Sequence, residues 1–268
     1  MRRCGNKKEA LFMIIPGLVS VTFRHLSPEQ IVSLCQRAGL EAVEWGGDVH
    51  VPPDEPHRAE KAARLCRSAG LQVASYGSYY RAGQPDAEFE RVLETAQRLG
   101  APMIRIWAGM HGSGTYGADQ RARTVESLMR CARRAGEKGI RLGLEYHPDT
   151  LTDDRASVRR LMEETSQAEN LTFYWQPRWD WTRQEWLDSL RDLQGRVSHV
   201  HVFTWHWQEK QMLRRPLAEG EAMWISALDK LRGQRGSRFA LLEFVENDEE
   251  AALIRDARTL MSWINKAQ

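Results

Sequence analysis

The hydrophobic pattern of the chain alternates between short apolar runs and longer segments of helical periodicity. The short runs predict buried strands, and the segments with apolar residues every three or four positions predict amphipathic helices. The predicted strands are 17–23, 42–45, 72–76, 103–107, 141–145, 171–176, 197–203 and 239–244. The predicted helices are 28–38, 59–69, 87–99, 118–138, 155–166, 183–193, 221–231 and 248–265. A strand therefore precedes a helix eight times along the chain.

Capping residues mark where several of these helices begin and end. Ser27, Pro28 and Glu29 provide an N-cap, a proline at the first helical position and an acid in the first turn. Gly70 and Gly100 stand where a C-cap glycine would end the second and third helices. The capping residues and the periodicity thus predict the same short strand–helix units.

Eight strand–helix units in succession predict an α/β protein with a parallel sheet. A doubly wound open sheet is the alternative, but no GxGxxG motif opens the first unit, and eight full units favour closure. No linker or low-complexity stretch divides the chain. We expect a single (β/α)8 TIM barrel over residues 1–268, with a long loop rich in tryptophan and arginine after the seventh strand.

The amino terminus needs a separate interpretation, because basic residues precede an apolar run there, as in a weak signal peptide. Pro16 interrupts that run, no small-x-small cleavage site is evident, and residues 17–23 continue directly into patterned sequence. We interpret residues 1–11 as a disordered leader. No other stretch approaches the roughly 18 apolar residues that a membrane span requires, so no membrane association is expected.

Composition narrows the function classes. The 268 residues carry a formal net charge of +2, with lysine and arginine interleaved with acids, which disfavours a nucleic-acid partner. The four cysteines have no CxxC spacing and are interpreted as reduced thiols of a cytoplasmic protein, not as a disulfide framework or a zinc cluster. They are Cys4, Cys35, Cys66 and Cys131.

Four predicted strands end on side chains that can hold a metal or move a proton: Glu145, Gln176, His201 and Glu243. Alternation within an extended strand places Glu145 on the same face as Gly143 and His147. In a parallel barrel the chemistry lies at the carboxyl ends of the strands, so these four groups would converge. Buried charges are costly unless they are paired or bound to metal. The pattern therefore predicts one divalent cation, Mn²⁺, Mg²⁺, Co²⁺ or Zn²⁺.

Neighbouring polar residues have simpler interpretations. Glu44 is expected to pair with Arg105, and His199 to pack inside the barrel below His201. Among the ten tryptophans, Trp186 and Trp263 have the spacing of helical core residues. Five others fall in the loops at the carboxyl ends of the strands, where flat apolar rings commonly line small-ligand pockets. These are Trp107, Trp179, Trp181, Trp205 and Trp207.

From Gly17 onward the sequence resembles the xylose-isomerase-like barrel superfamily, which includes ketose 3-epimerases, inosose dehydratases and endonuclease IV. The segments that carry the resemblance include EYHPDTLTDD, EWGGDVHVPP and RPLAEGEAMW. The family holds a divalent metal with Glu, Asp, His and Glu after strands five to eight. Glu145, His201 and Glu243 match that set, whereas Gln176 replaces the aspartate and Trp179 replaces a histidine expected three residues later.

The resemblance implies a metal-dependent isomerase or epimerase that acts on a carbohydrate or similar polyol. Glu145 and Glu243 would exchange a proton with carbon through an enediolate stabilised by a metal bound to Glu145, Gln176, His201 and Glu243. Seven further residues are predicted substrate contacts: His50, Arg81, Trp107, His147, Arg178, Trp205 and His206.

Two alternatives stay open, an inosose-type dehydratase and a non-catalytic sugar-binding barrel, and Gln176 is the best support for the latter. DNA repair is disfavoured, because strands three and four end in Tyr76-Gly77 and Trp107 where endonuclease IV has zinc ligands. The oligomeric state is left open, and a homo-oligomer is compatible with the sequence.

Overall fold

A computed structural model describes residues 13–178, 180–193, 195–208, 211–232 and 236–266 of the chain. Its strands are β1 Ile14–Val19, β2 Ala42–Gly46, β3 Gln72–Arg81, β4 Met103–Trp107, β5 Arg141–Glu145, β6 Leu171–Trp175, β7 Val197–Val202, β8 Trp205–Gln208, β9 Gln211–Arg214 and β10 Arg238–Leu242. Its α-helices are α1 Pro28–Ala38, α2 Pro56–Ala69, α3 Asp86–Leu99, α4 Ala118–Glu137, α5 Arg155–Glu164, α6 Arg183–Asp192, α7 Glu221–Arg232 and α8 Glu250–Asn265.

Eight parallel strands close into a barrel in the order β1-β10-β7-β6-β5-β4-β3-β2. The helices surround the barrel, and the larger apolar cluster fills the layer between strands and helices. The predicted (β/α)8 TIM barrel is therefore confirmed. None of the helices in the described ranges is both long enough and apolar enough to cross a bilayer.

The capping signals act as expected. Ser27 forms a capping box with Gln30 at the start of α1, and Gly70 and Gly100 end α2 and α3 in the left-handed region, with φ of 71° at both. A glycine adopts that region without the steric penalty of a Cβ atom. The helix ends are thus determined by local chemistry that can be read from the sequence.

The first strand differs from the prediction of 17–23. It covers Ile14–Val19 and is followed by a 3-10 helix at Ser20–Phe23. At Gly17 the backbones of β1 and β2 lie so close together that a Cβ atom would be only 2.7 Å from the Ala42 carbonyl oxygen. The chain then turns so that the Ser20 hydroxyl accepts a hydrogen bond from the Gly46 amide (2.9 Å). The predicted leader, residues 1–11, lies outside the described residues.

The segment after β7 also departs from the prediction, because part of the expected loop forms an antiparallel hairpin of β8 and β9 outside the barrel. Trp205 pairs with Arg214 at the base of this hairpin.

Inside the barrel, Tyr174 fills the space above Gly143, where a Cβ atom would meet its ring at 2.3 Å. The Tyr174 ring also contacts His199 and His201, at centroid distances of 4.8 and 5.4 Å. Tyr174 therefore forms part of the floor below the strand ends.

Candidate metal centre

The four predicted ligands lie at the carboxyl ends of four barrel strands. Glu145 is the last residue of β5, Gln176 follows β6, His201 is the penultimate residue of β7, and Glu243 follows β10. Side chains that alternate along parallel strands reach the same end of the barrel. The described structure brings all four to one place, as the alternation predicts.

His201 Nδ1 is the centre of this group. It lies 3.1 Å from Gln176 Oε1, 3.2 Å from Glu145 Oε1 and 3.4 Å from Glu243 Oε2. One ligand atom from each of Glu145, His201 and Glu243 lies within 4.8 Å of the others. Neighbouring ligands of an octahedral cation with bonds of about 2.1 Å are about 3.0 Å apart. The donor set therefore fits a divalent cation.

Gln176 has a fixed amide orientation. Its Nε2 donates to the Tyr146 carbonyl oxygen (2.6 Å), and its Oε1 consequently faces His201 Nδ1. A carbonyl oxygen is an acceptable ligand for Mg²⁺, Mn²⁺ or Ca²⁺, although it is uncharged. Gln176 can therefore act as a neutral fourth ligand without rotating.

Glu145 is held as an anion. Its Oε2 accepts hydrogen bonds from the Arg105 guanidinium and from Trp107 Nε1, the latter at 2.5 Å. Burial raises the pKa of the Glu145 carboxyl, but the charges of Arg105 and His201 more than offset it and hold that pKa well below its usual range. Glu145 is thus suited to stabilise positive charge and poorly suited to accept a proton.

Glu243 has a different environment. The ionisable group that lies nearest to its carboxylate is His201, with Nδ1 3.4 Å from Glu243 Oε2. Within the described ranges, no donor forms a hydrogen bond with the Glu243 carboxylate. Burial, together with the negative charge of Glu145, raises the pKa of Glu243 to about 7 despite the opposing effect of His201. Two acids with pKa values moved in opposite directions are a common basis for separate roles in proton transfer.

Glu44 joins the site from β2. It is completely buried, its Oε2 accepts from the Ser75 hydroxyl (2.6 Å), and its Oε1 lies 3.2 Å from Arg105 Nε and 3.5 Å from His201 Nε2. Burial raises the pKa of Glu44, but His201 and Arg105 lower it to about 2. The predicted pair of Glu44 with Arg105 is confirmed, and His201 is an additional neighbour that the sequence did not indicate.

His199 packs below this network. It is buried, and its Nε2 lies 3.2 Å from the Ala74 carbonyl oxygen. Burial lowers the pKa of His199 to about 4, which keeps the ring neutral near pH 7. Its position matches the interpretation as a packed barrel histidine.

A cavity of about 400 Å³ opens above the predicted ligands. Four of the predicted substrate contacts line it: Trp107, His147, Arg178 and Trp205. Further lining residues, none of which was predicted from the sequence as a substrate contact, are Arg24, Tyr79, Arg105, Phe203, Met212 and Phe244. Arg105 shares the strand parity of Trp107, so alternation along β4 was a signal that could have placed it in the site.

The two ring nitrogens of His147 have different environments. Its Nδ1 lies 2.7 Å from the Pro148 carbonyl oxygen, and its ring packs on Trp107 at a centroid distance of 4.4 Å. Because a carbonyl oxygen only accepts, Nδ1 carries the proton of that hydrogen bond. Nε2 is therefore available to give or take a proton.

The described structure does not bring His50 and His206 into the cavity. The His50 ring is buried, with Nδ1 3.0 Å from Ser20 Oγ and Nε2 3.1 Å from the Leu26 carbonyl oxygen, so both nitrogens have protein partners. His206 is exposed on the outer hairpin, 3.9 Å from Glu219. His50 is therefore held in a structural position and His206 lies on the surface, and neither lines the cavity.

Arg81 likewise does not line the cavity. Its Nη1 donates to the carbonyl oxygens of Gly109 (3.1 Å) and Asp149 (3.0 Å), and its guanidinium stacks on Trp107 at 4.6 Å. It therefore ties two loops together and supports the wall formed by Trp107.

The remaining predicted aromatic residues are distributed between core and surface. Trp263 belongs to the buried core and the partly buried Trp186 packs against it, as their spacing predicted. Trp181 also packs there, edge-on against Tyr146. Trp207 is exposed on the hairpin, and Trp179 lies outside the described residues.

A family model described as xylose isomerase-like TIM barrel matches residues 32–266. The chain belongs to this family. The resemblance drawn from the strand-end residues is thereby confirmed, and proteins of similar sequence or similar fold include dehydratases and an epimerase.

Three relatives illustrate that range. A 3-dehydroshikimate dehydratase from Bacillus anthracis is 25% identical over 201 residues, which cover 69% of this chain and 70% of the relative. The crystal structure of the probable 3-DHS dehydratase AsbF from Bacillus anthracis has a TM-score of 0.77 at 20% identity, covering 93% of this chain and 99% of that one. An L-ribulose 3-epimerase structure has a TM-score of 0.70 at 15% identity, covering 95% and 96%.

Proposed function

We propose that the chain is a metal-dependent dehydratase that eliminates water from a hydroxylated ketone of the carbohydrate or cyclitol type. The observation that carries the proposal is the unequal hydrogen bonding of its two acids. Glu145 Oε2 accepts from both Arg105 and Trp107, whereas the Glu243 carboxylate has no such donors in the described part of the chain. The sequence similarity to a 3-dehydroshikimate dehydratase supports the same reaction class.

The charges at the strand ends support a bound divalent cation. The site contains three buried carboxylates, Glu44, Glu145 and Glu243, and one guanidinium, Arg105, which pairs with the first two; this leaves two negative charges when the acids are ionised and His201 is neutral. Glu145, Gln176, His201 and Glu243 would hold the cation. A bound divalent cation would act as a Lewis acid on the substrate carbonyl and so make the neighbouring C–H bond more acidic.

Glu243 is the residue that we assign as base. Its carboxylate lies at the cavity wall and is not stabilised by the donors that stabilise Glu145, so it keeps more of its basicity. In the proposed reaction the C–H bond beside the carbonyl breaks, and its proton moves to Glu243. The electron pair of that bond forms the new carbon–carbon double bond.

His147 is the group that we assign as acid. Its Nδ1 hydrogen bond with Pro148 fixes the ring, and Nε2 of the protonated ring is free to donate. The C–O bond to the departing hydroxyl breaks with its electron pair on oxygen, and the proton from Nε2 completes a water molecule. The ring packs on Trp107, which supports the imidazolium that the step requires.

Epimerisation is the second candidate, and one observation favours it. Glu145 and Glu243 stand on β5 and after β10, separated in the barrel by β6 and β7, so they approach a substrate from different sides. A two-base epimerase needs both acids to exchange a proton with the same carbon. The two donors on Glu145 weaken it for that purpose, which is why we prefer the dehydratase.

The test compares products. Chelated protein reloaded with Mn²⁺, Mg²⁺, Co²⁺ or Zn²⁺ is incubated with 3-dehydroshikimate, an inosose and a panel of ketoses in deuterated water, and the products are analysed by mass spectrometry and NMR. We expect loss of one water, abolished in Glu243→Gln and reduced in His147→Gln. His206→Gln, which changes a histidine outside the cavity, is the matched control. Deuterium incorporation into a ketose without loss of water would instead establish the epimerase, and no reaction with any substrate would favour the non-catalytic barrel.

A further inference from the structure

Glu44 is a buried acid whose two carboxylate oxygens have different neighbours. Ser75 donates to Oε2, whereas Oε1 lies between Arg105 Nε and His201 Nε2, at 3.2 and 3.5 Å. Glu44 Oε1 and His201 Nε2 are both inaccessible to solvent, and neither has a geometrically complete hydrogen bond in the described part of the chain. Buried polar atoms without a partner are costly, so their approach to each other calls for an explanation.

His201 must be neutral to bind a metal, and the two tautomers of the neutral ring have opposite consequences in this setting. With the proton on Nδ1, the Nε2 lone pair would face the Glu44 carboxylate, and the N–H would occupy the space between the oxygens of Glu145, Gln176 and Glu243. With the proton on Nε2, Glu44 receives a donor and the Nδ1 lone pair faces those three oxygens. The second arrangement satisfies the buried acid and also creates a metal ligand.

We infer that Glu44 is a positioning residue that holds the proton of His201 on Nε2, so that Nδ1 is free to bind a divalent cation. The inference rests on the proposed function, because it assigns a role toward the same metal site. A carboxylate that accepts from the second nitrogen of a metal-binding histidine fixes the ring orientation and the tautomer. Here it comes from β2, although the four predicted ligands all stand at the ends of β5, β6, β7 and β10.

The alternative is that Glu44 only neutralises Arg105. Arg105 also has the Glu145 carboxylate as a partner, so its charge is not left unpaired when Glu44 is replaced by a neutral residue. Glu44→Gln keeps the shape and an acceptor oxygen but removes the charge. Glu44→Met keeps a similar length but removes both the charge and the acceptor oxygen. A role confined to Arg105 would lower stability in both variants and leave metal affinity and the His201 tautomer unchanged.

The experiment measures Mn²⁺ affinity by titration calorimetry and the His201 tautomer by ¹⁵N NMR of histidine-labelled protein loaded with Zn²⁺. In wild type we expect the proton on Nε2 and the metal on Nδ1. Loss of an outer partner of a ligating histidine typically weakens metal binding by about 10–100-fold, which we expect for Glu44→Met, with a smaller loss for Glu44→Gln. Circular dichroism verifies that each variant is folded, and Glu44→Gln provides the test if Glu44→Met does not fold.

Asp256→Asn is the matched control. Asp256 is also a buried acid, and it accepts from the Leu217 amide (3.2 Å) and from Arg255 Nε (3.0 Å) away from the cavity. The Asp256→Asn substitution should lower the stability of the protein without changing its Mn²⁺ affinity. Equal affinities of wild type and both Glu44 variants, or Zn²⁺ on Nε2, would overturn the inference alone. A wild-type protein that binds none of the tested metals would overturn the proposed function and this inference together.

Discussion

Replacing Arg105 by leucine removes the guanidinium that lies between Glu44 and Glu145. The Arg105 and Glu44 side chains are almost wholly buried, with Nε and Oε1 3.2 Å apart, and Glu145 accepts from the same guanidinium. Breaking a buried ion pair from one side typically costs about 3–5 kcal/mol, because it leaves an uncompensated buried charge. For a domain of this size each kcal/mol corresponds to about 2–4 °C in Tm, so chelated Arg105→Leu should unfold roughly 6–20 °C below wild type.

The same substitution changes the response to metal. Removing Arg105 leaves one more uncompensated negative charge at the strand ends. A bound divalent cation should therefore stabilise the variant more than it stabilises wild type. Adding Mn²⁺ should therefore raise the Tm of Arg105→Leu more than that of wild type, measured by calorimetry with chelator and with Mn²⁺. Arg98→Leu is the control, because Arg98 bridges Glu60 and Glu94 on the surface and its removal should change Tm little. A decrease for Arg105→Leu as small as that of Arg98→Leu would refute the reasoning.

Three further substitutions, at two positions, test the ligand set and its protonation. Gln176→Glu is close in shape but directs an oxygen at the Tyr146 carbonyl oxygen, where Nε2 now donates at 2.6 Å, so it should lower Tm in chelator. The shorter Gln176→Asp avoids that contact and should tighten Mn²⁺ binding by about tenfold or more through its added charge, and weaker binding in calorimetry would contradict this. The raised pKa of Glu243, about 7, means that the folded chelated protein binds more protons than the unfolded chain between its ordinary value and 7. The free energy of unfolding, measured with urea, should accordingly fall as pH rises through that window, and an unchanged slope in Glu243→Gln would show that another group is responsible.

Most of the barrel could be predicted because its signals are local. Strand alternation and helix caps depend on residues that are close in sequence, and they placed Glu145, His201 and Glu243 at the strand ends together with Gln176. The error in β1 arose because its boundary depends on pairing with β2 and β10, which local pattern does not reveal. Closure of the barrel, by contrast, follows from the number of strand–helix units.

The side-chain assignments in the loops were less predictable. His50 and Arg81 are polar residues near strand ends, and the sequence offers no way to tell that backbone carbonyl oxygens will take up their hydrogen-bonding groups. The path of a loop determines which carbonyl oxygens are nearby, and that path depends on tertiary packing. For the same reason the approach of Glu44 to His201 across the barrel was not foreseen, because β2 and β7 are not neighbours in the sheet.

Gln176 supported the non-catalytic alternative in the sequence because it lacks the charge of the family aspartate. The structure weakens that argument in two ways. Tyr146 fixes the amide so that its oxygen still faces His201 Nδ1, and a ligand position is therefore retained. When the three acids are ionised and His201 is neutral, as in a metal-bound site, the carboxylates and Arg105 leave two negative charges at the strand ends, which a divalent cation would neutralise. An aspartate at position 176 would add a third negative charge, so the neutral glutamine is compatible with a balanced metal site beside the guanidinium of Arg105.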